Sequence, residues 1–330
     1  MPDAILIHPS YDAIWSWTAN HLARLWPAAI GAVQVQRLQP GDTRTAGELA
    51  SPDCVRLVCL GVPLTRACLD LLPHLRAVHG APEELRAELT ARGIAWIAPA
   101  SEGFWGQSVA ECALALTLCG LRRIPQAHAA ITRDHAEWDY HPPGGIGRPG
   151  LRCQQFSDDV RFAHGTVAGK RVRVVGLGNI GARYAQWCAM MGAEVMAYDP
   201  HANEAVFHRC GVRRETRLER LVADAEILAP MMPLRPATAG MLTAELMNVV
   251  PRGALVVLIT RAGIVDMPTL RRRVLADELS LAADVFDVEP LPLDDPLLGR
   301  HNVVHTPHLA GRTRDANHAL AESLLAAFLA

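Results

Sequence analysis

The stretch RVRVVGLGNIG, residues 171–181, joins a β-branched apolar run to three glycines in the spacing GxGxxG. A helix-favouring run, ARYAQWCAMMG, follows directly at 182–192. In such a strand–turn–helix unit the first glycine permits a tight turn, the second lets the backbone approach a pyrophosphate, and the third allows close helix packing. The helix N-terminus then faces the phosphates. We therefore predict a dinucleotide-binding turn formed by Gly176, Gly178, Asn179, Ile180 and Gly181.

A carboxylate ends the next β-type run, VMAYDP at 195–200. Asp199 lies close to the expected distance from the glycines for hydrogen bonds to the adenosine ribose hydroxyls. A carboxylate at this place repels a 2′-phosphate, and Pro200 and His201 follow it rather than an arginine. The sequence therefore predicts NAD as the cofactor, while an aspartate that merely ends a strand remains the alternative.

Short β-type runs alternate with helix-favouring stretches in two series. In the first hundred residues the runs are AILIH at 4–8, VQVQRL at 33–38, RLVCLG at 56–61, LRAVHG at 75–80 and IAWIAPA at 94–100. From residue 171 six β-type segments follow, namely RVRVVGLGNIG, EVMAYDP, AEILAPMMP, ALVVLITRAG, LAADVFDVEP and NVVHTPHLAG. Strands that alternate with helices indicate parallel sheets. We therefore predict an α/β protein with two Rossmann-like, doubly wound parallel-sheet domains.

Three further segments complete the predicted organisation. A long apolar helix is expected over SVAECALALTLCGLRRI, 108–124, ending before Pro125, and a final helix over 311–330. Residues 140–165 are rich in proline and glycine and predict a long loop, either an ordinary surface excursion or a lid or subunit contact.

Composition narrows the class of protein. The 330 residues carry a formal net charge of −2, which gives no basic field for nucleic acid or an anionic membrane. We expect the arginine run at 271–273 to form the solvated face of a helix. The eight cysteines form no CxxC pair, and no apolar stretch approaches the length of a membrane span. The start, MPDAILIHPS, lacks the features of a signal peptide, so we expect a soluble cytoplasmic protein.

Three ionisable residues follow the glycine turn and together describe a site: Arg261, Glu289 and His308. An arginine offers two parallel donors to a carboxylate, and a histidine transfers protons near neutral pH. A carboxylate partner favours the protonated form of an imidazole, which can then donate a proton. Each residue alone could be a surface or turn residue. His301, His305 and His308 lie close in sequence, but no cysteine or carboxylate completes a shell nearby, so we predict no metal site.

Several separate motifs, in order, resemble those of the D-isomer-specific 2-hydroxyacid dehydrogenases. They are SVAE at 108–111, GLGNIG at 176–181, TRAGIVD at 260–266, DVFDVEP at 284–290 and TPHLAG at 306–311. The resemblance implies that Arg261 binds the substrate carboxylate and keto oxygen, that His308 is the acid/base, and that Glu289 orients it. It also implies that Asp284 bonds the nicotinamide carboxamide. The backbone at Val78, His79 and Gly80 would receive the substrate carboxylate.

The same resemblance implies a domain plan and an activity. Residues 1–108 and 310–330 would form a flavodoxin-like substrate domain, and 109–309 an NAD-binding Rossmann domain, with the active site in the cleft between them. The expected reaction is hydride transfer between NAD(H) and C2 of a small D-2-hydroxy acid or 2-keto acid, in a homodimer. An NADH-sensing, corepressor-like binding protein and a nucleotide-binding degenerate dehydrogenase remain as alternatives.

The chain also departs from the family pattern. Leu258 and Ala262 stand where NxxRG has its asparagine and glycine, and APEEL follows Gly80 instead of a GxDNID-like loop. Before SVAE, where the family commonly has a PGxN-like sequence, this chain has Glu102, Gly103 and Trp105, with Phe104 between them. These departures leave the substrate open.

Overall fold

The structure, a computed structural model, describes residues 3–98, 104–133 and 159–330. Most of the loop predicted at 140–165 therefore lies outside the described residues. The chain divides into two compact units, Met1–Trp105 with Arg312–Ala330, and Gly106–Gly311. Among the described residues, no helix combines the length and apolar character needed to cross a membrane.

The first unit is built on a five-stranded parallel sheet of order β2-β1-β3-β4-β5. The strands are β1 Asp3–Ile7, β2 Val33–Arg37, β3 Arg56–Leu60, β4 Ala77–His79 and β5 Ala95–Ile97. Each coincides with one of the five β-type runs predicted from the sequence, which are thereby confirmed. The helices are α1 Pro9–Ala29, α2 Ala46–Leu49, α3 Arg66–Leu71, α4 Arg86–Ala91 and, from the end of the chain, α12 Arg314–Leu329.

Both faces of this sheet are covered at β1, which explains why that strand is apolar on both sides. Ile5 and Ile7 pack with Trp26 of α1 and Leu324 of α12 in one cluster, whereas Leu6 belongs to the cluster on the other face. A strand buried on both faces has a continuous apolar run in its sequence, as AILI at 4–7 does.

The second unit contains a seven-stranded parallel sheet of order β12-β11-β10-β9-β6-β7-β8. Its strands are β6 Arg171–Val175, β7 Glu194–Tyr198, β8 Arg213–Arg214, β9 Ile227–Pro230, β10 Leu255–Leu258, β11 Ser280–Ala283 and β12 Val303–His305. Six of them match the predicted segments. The seventh, β8, has only two residues, too few to produce a recognisable pattern. The strand order reverses at β6, and in such sheets ligands bind beyond the carboxyl ends of the strands near that point.

The helices of this part of the chain are α5 Phe104–Arg122, α6 Ile124–Ile131, α7 Asn179–Met190, α8 Glu204–Cys210, α9 Leu218–Ala223, α10 Ala244–Val249 and α11 Met267–Leu275. The predicted break before Pro125 occurs at Arg123, which has φ of 52°. The chain then forms α6, with Pro125 in its first turn, where proline is well tolerated.

The prediction that residues 271–273 form a solvated helix face is wrong. Arg273 is 3% exposed and donates to Met247 O and Val250 O, each at 2.7 Å. Arg271 is half-buried between two carboxylates, and Arg272 alone is exposed. Long arginine side chains can be buried where carbonyl and carboxylate oxygens satisfy the guanidinium, and composition does not reveal such partners.

Candidate active site

The glycine turn has the shape that a pyrophosphate requires. Gly176 has φ of +94°, and a Cβ on Gly181 would come within 1.9 Å of Gly176 O. A Cβ on Gly178 would meet open space, so the backbone there is free to be approached. Helix α7 begins at Asn179, which places its first N–H groups at this opening. The residues present therefore fit a dinucleotide, as the spacing of the glycines predicted.

Asp199 connects the glycine turn to the end of β7. Its Oδ2 accepts a hydrogen bond from Leu177 N at 2.7 Å, and its Oδ1 accepts from His201 N at 2.8 Å and Ala202 N at 3.0 Å. Each carboxylate oxygen has two lone pairs, so capacity remains on Oδ2 for a further donor.

Sequence reasoning missed an arginine beside this aspartate. Arg214 Nη2 lies 3.5 Å from Asp199 O, and Arg214 Nη1 donates to Glu204 Oε1 at 2.5 Å. It stands fifteen residues after Asp199 and reaches it because β8 pairs with β7. The only possible signal, a two-residue strand, could not be recognised in the sequence.

Arg261, Glu289 and His308 line one pocket of about 360 Å³, together with Leu234, Met267 and Phe286 among others. They follow the neighbouring parallel strands β10, β11 and β12 respectively. Parallel neighbours end at the same edge of the sheet, so residues far apart in sequence meet there. The structure thus brings the three predicted residues together.

His308 and Glu289 form a direct pair. Nδ1 of His308 lies 2.7 Å from Oε2 of Glu289, and Oε1 of Glu289 accepts from Phe286 N at 2.8 Å. Burial raises the pKa of Glu289, but the hydrogen bonds from His308 and Phe286 and the positive charges of His308 and Arg261 outweigh it. The net result is a lowered pKa, which keeps this carboxylate ionised at neutral pH.

Arg261 presents an exposed guanidinium at the end of β10. Its Nη1 donates to Thr260 O at 2.6 Å, and this bond fixes one end of the guanidinium group. Guanidinium groups carry five N–H donors, so donors remain for a carboxylate ligand.

Asp284 organises the turn that carries His308. Its buried carboxylate accepts from Thr306 Oγ1 at 2.6 Å, Leu309 N at 2.9 Å and Ala310 N at 3.0 Å. His308 lies inside this turn with φ of 53°, a left-handed conformation that is uncommon for a residue other than glycine. Two of these bonds hold the backbone after His308, and the third holds the side chain of Thr306 before it.

Residues 78–80 lie in the first unit, at the end of β4. Val78 is fully buried and is paired with both neighbouring strands. His79 Nδ1 bonds Ile97 O at 2.9 Å, and burial lowers its pKa despite that bond. Gly80 has φ of +86°, and a Cβ there would lie 2.0 Å from Cys59 O. The amide proposed to receive a carboxylate therefore belongs to a position that tolerates glycine alone.

No group of three or more His, Cys, Asp or Glu side chains within the described part of the chain is arranged to hold a metal ion. His301 Nε2 lies 3.3 Å from Asp277 Oδ1, and His305 is exposed at the end of β12.

Residues 114–310 match the family described as D-isomer specific 2-hydroxyacid dehydrogenase, NAD binding domain. The chain belongs to this family. The fold agrees, since both units contain the parallel sheets expected of a 2-hydroxyacid dehydrogenase. The second unit accordingly contains an NAD-binding domain.

Individual relatives carry several activities. The chain is 36% identical to D-3-phosphoglycerate dehydrogenase of Mycobacterium tuberculosis over 229 residues, 69% of this chain and 38% of the relative. It is 28% identical to glyoxylate reductase of Korarchaeum cryptofilum over 276 residues, 82% of this chain and 77% of that one. A structure of a D-isomer specific 2-hydroxyacid dehydrogenase from Xanthobacter autotrophicus Py2, in complex with NADPH and MES, is 25% identical, with a TM-score of 0.63 and coverage of 97% and 92%. The chain spans between 36% and 53% of the length of the phosphoglycerate dehydrogenases it resembles.

Proposed function

We propose that this protein is an NAD-dependent oxidoreductase that transfers a hydride between NAD(H) and C2 of a small 2-hydroxy acid or 2-keto acid of D configuration. The observation that carries the proposal is the pocket that contains Arg261 and the 2.7 Å pair of His308 and Glu289. It lies in the same unit as the glycine turn of the NAD-binding domain.

The residues divide the chemistry of 2-keto acid reduction between them. Bound NADH would supply the hydride that adds to C2. His308 donates a proton to the carbonyl oxygen as that bond forms, so that the keto group becomes a hydroxyl group. Glu289 accepts from Nδ1 of His308, which orients the ring and leaves Nε2 to carry the transferred proton. In the oxidative direction His308 takes the hydroxyl proton.

Arg261 holds the substrate in this scheme. Its exposed guanidinium group can bind the substrate carboxylate through two parallel N–H donors, which a lysine cannot provide. The contacts of residues 78–80 with the carboxylate and of Asp284 with the nicotinamide stay predictions.

The test is NADH oxidation with glyoxylate, hydroxypyruvate, pyruvate and bulkier 2-keto acids. We expect turnover of at least one of them, and in reverse the oxidation of a D- but not an L-2-hydroxy acid. His308→Ala should lower kcat by about 100-fold or more with NADH affinity nearly unchanged, since general acid catalysis contributes that much. His305→Ala, an exposed histidine three residues away, is the matched control and should remain active.

Two results would overturn the proposal. A protein that binds NADH and reduces none of the keto acids would favour the NADH-sensing or degenerate alternatives. Equal activity of His308→Ala and His305→Ala would remove His308 from its role.

A further inference from the structure

The segment that carries Glu289 has little backbone structure of its own. Residues 285–300 lie between β11 and β12 and contain neither helix nor strand. Outside helices and strands, the described part of the chain has one backbone–backbone hydrogen bond that involves residues 285–294. In it, Asp295 N donates to Pro292 O. Side chains must therefore hold this part of the pocket in place.

Arg271 of α11 supplies the main polar anchor for this segment. Its Nε and Nη2 donate to Asp287 at 2.8–3.0 Å, and its Nη1 donates to both oxygens of Asp295 at 3.0 and 3.1 Å. The arginine side chain is 17% exposed and that of Asp295 is 9% exposed. Asp287 precedes Glu289 by two residues, and Asp295 follows it by six. One guanidinium thus joins the two ends of the stretch that contains Glu289.

The far end of this connection is itself anchored. Asp295 Oδ1 also accepts from Leu297 N at 2.9 Å, and Leu297 is fully buried in the core of the second unit. At the near end, Asp287 lines the same pocket as Glu289 and His308. The chain of contacts therefore runs from the core, through Arg271, to the edge of the pocket.

We propose that Arg271 is a positioning residue for the reaction, because it fixes the segment 287–295 so that Glu289 stays within hydrogen-bond distance of His308. This rests on the proposed function for its kinetic consequence, though not for its structural one. Without the guanidinium, two partly buried carboxylates lose their partner and repel each other. A catalytic pair needs its supporting groups to be held within fractions of an ångström, so the loosened segment lowers the rate.

The neighbouring arginine offers a matched control. Arg272 is exposed on the same helix and donates to Asn248 Oδ1 at 2.6 Å, away from the pocket segment. We expect Arg271→Gln to lower kcat by about tenfold or more with NADH affinity unchanged. Arg272→Gln should stay within about twofold of the parent, as surface substitutions do. Arg271→Lys should fall between them, because an ammonium cannot bind both carboxylates through paired donors.

A double-mutant cycle separates positioning from a general structural effect. If Arg271 acts through Glu289, then Arg271→Gln should cost less than about twofold in kcat when Glu289→Gln is already present. An equal cost in the two backgrounds would overturn the proposal, as would an Arg271→Gln variant with parental kcat.

Hydrogen exchange provides a measurement that needs no turnover. The hydrogen-bonded amides of Phe286, Asp295 and Leu297 should exchange faster in Arg271→Gln than in Arg272→Gln, while those of β10 and β11 remain protected. Unchanged exchange would refute the positioning role whatever the activity. If exchange is faster in Arg271→Gln but the parent protein reduces no keto acid, the proposed function is refuted and the structural role of Arg271 stands.

Discussion

Asp199 shows how one side chain can serve both the turn and the choice of cofactor. Its carboxylate bonds three backbone amides around the cofactor turn, so it is held in place before any nucleotide binds. A fixed negative charge at the end of this strand repels a 2′-phosphate. Arg214 lies close by, yet Glu204 already pairs with it.

We predict that NADH is preferred to NADPH and that Asp199→Asn lowers this preference by about tenfold, equivalent to ~1.4 kcal/mol. Asparagine keeps one acceptor for the turn and removes the charge. The measurement is kcat/KM for both cofactors with one 2-keto acid. In Asp199→Asn, the guanidinium of Arg214 remains and attracts the 2′-phosphate of NADPH. Adding Arg214→Gln removes this attraction and should reverse part of the gain with NADPH. A parent protein that prefers NADPH would contradict the role given to Asp199.

The site residues that can be predicted from the sequence differ in kind from those that cannot. Arg261, Glu289 and His308 stand in motifs that can be recognised one at a time, and the parallel order of β10, β11 and β12 brings them together. Arg214 and Arg271 act through partners 10–24 residues away, and no local pattern marks either. Their partners depend on side-chain packing and on short strands, which periodicity does not encode.

At the scale of elements, the contact between α1 and α12 in the first unit contains an unusual group of ionisable side chains. The rings of His21 and His318 stack at 4.0 Å with 9° between their planes. Arg24 donates to His21 Nδ1 at 2.9 Å, and His21 Nε2 lies 2.9 Å from Glu322. Burial, then the charge of His21 when that ring is protonated, and then the charges of Arg314 and Arg24 lower the pKa of His318, whereas Glu322 raises it.

This stack should make unfolding sensitive to acid. With a lowered pKa, folded His318 resists a proton that the unfolded chain accepts at the ordinary value. Its contribution to stability is therefore complete above the ordinary histidine pKa and is lost as pH falls from that value through the lowered pKa of the folded state. Over the conventional buffer range from pH 7.5 to about pH 5.5, we expect Tm to fall less in His318→Gln than in the parent protein. His208→Gln, at an exposed position of α8, is the control, and an identical fall in all three proteins would refute the prediction.

At the scale of the whole molecule, the basic charge is carried almost entirely by the guanidinium groups of arginines. The sequence contains 32 lysine and arginine residues, and Lys170 is the one lysine among them. Lys170 directly precedes β6, whereas the glycine turn follows that strand. The five residues of β6 separate the two ends by roughly 17 Å at 3.3–3.4 Å per residue. Apart from His308, which transfers the proton, the cationic side chains proposed for the active site are therefore arginines.

This distribution predicts opposite responses to two classes of reagent. Acylation of amines with N-hydroxysuccinimide acetate modifies Lys170 and the chain's amino terminus, and should leave kcat within about twofold, as surface changes do. Phenylglyoxal, which modifies guanidinium groups, should abolish turnover, because Arg261 loses the donors that bind the substrate carboxylate. A non-reactive 2-keto acid analogue added with NADH should slow the phenylglyoxal reaction, since it covers the guanidinium group of Arg261. Mass spectrometry of the modified protein identifies the sites, and loss of activity on acylation of Lys170 would show that the active site extends to the opposite end of β6.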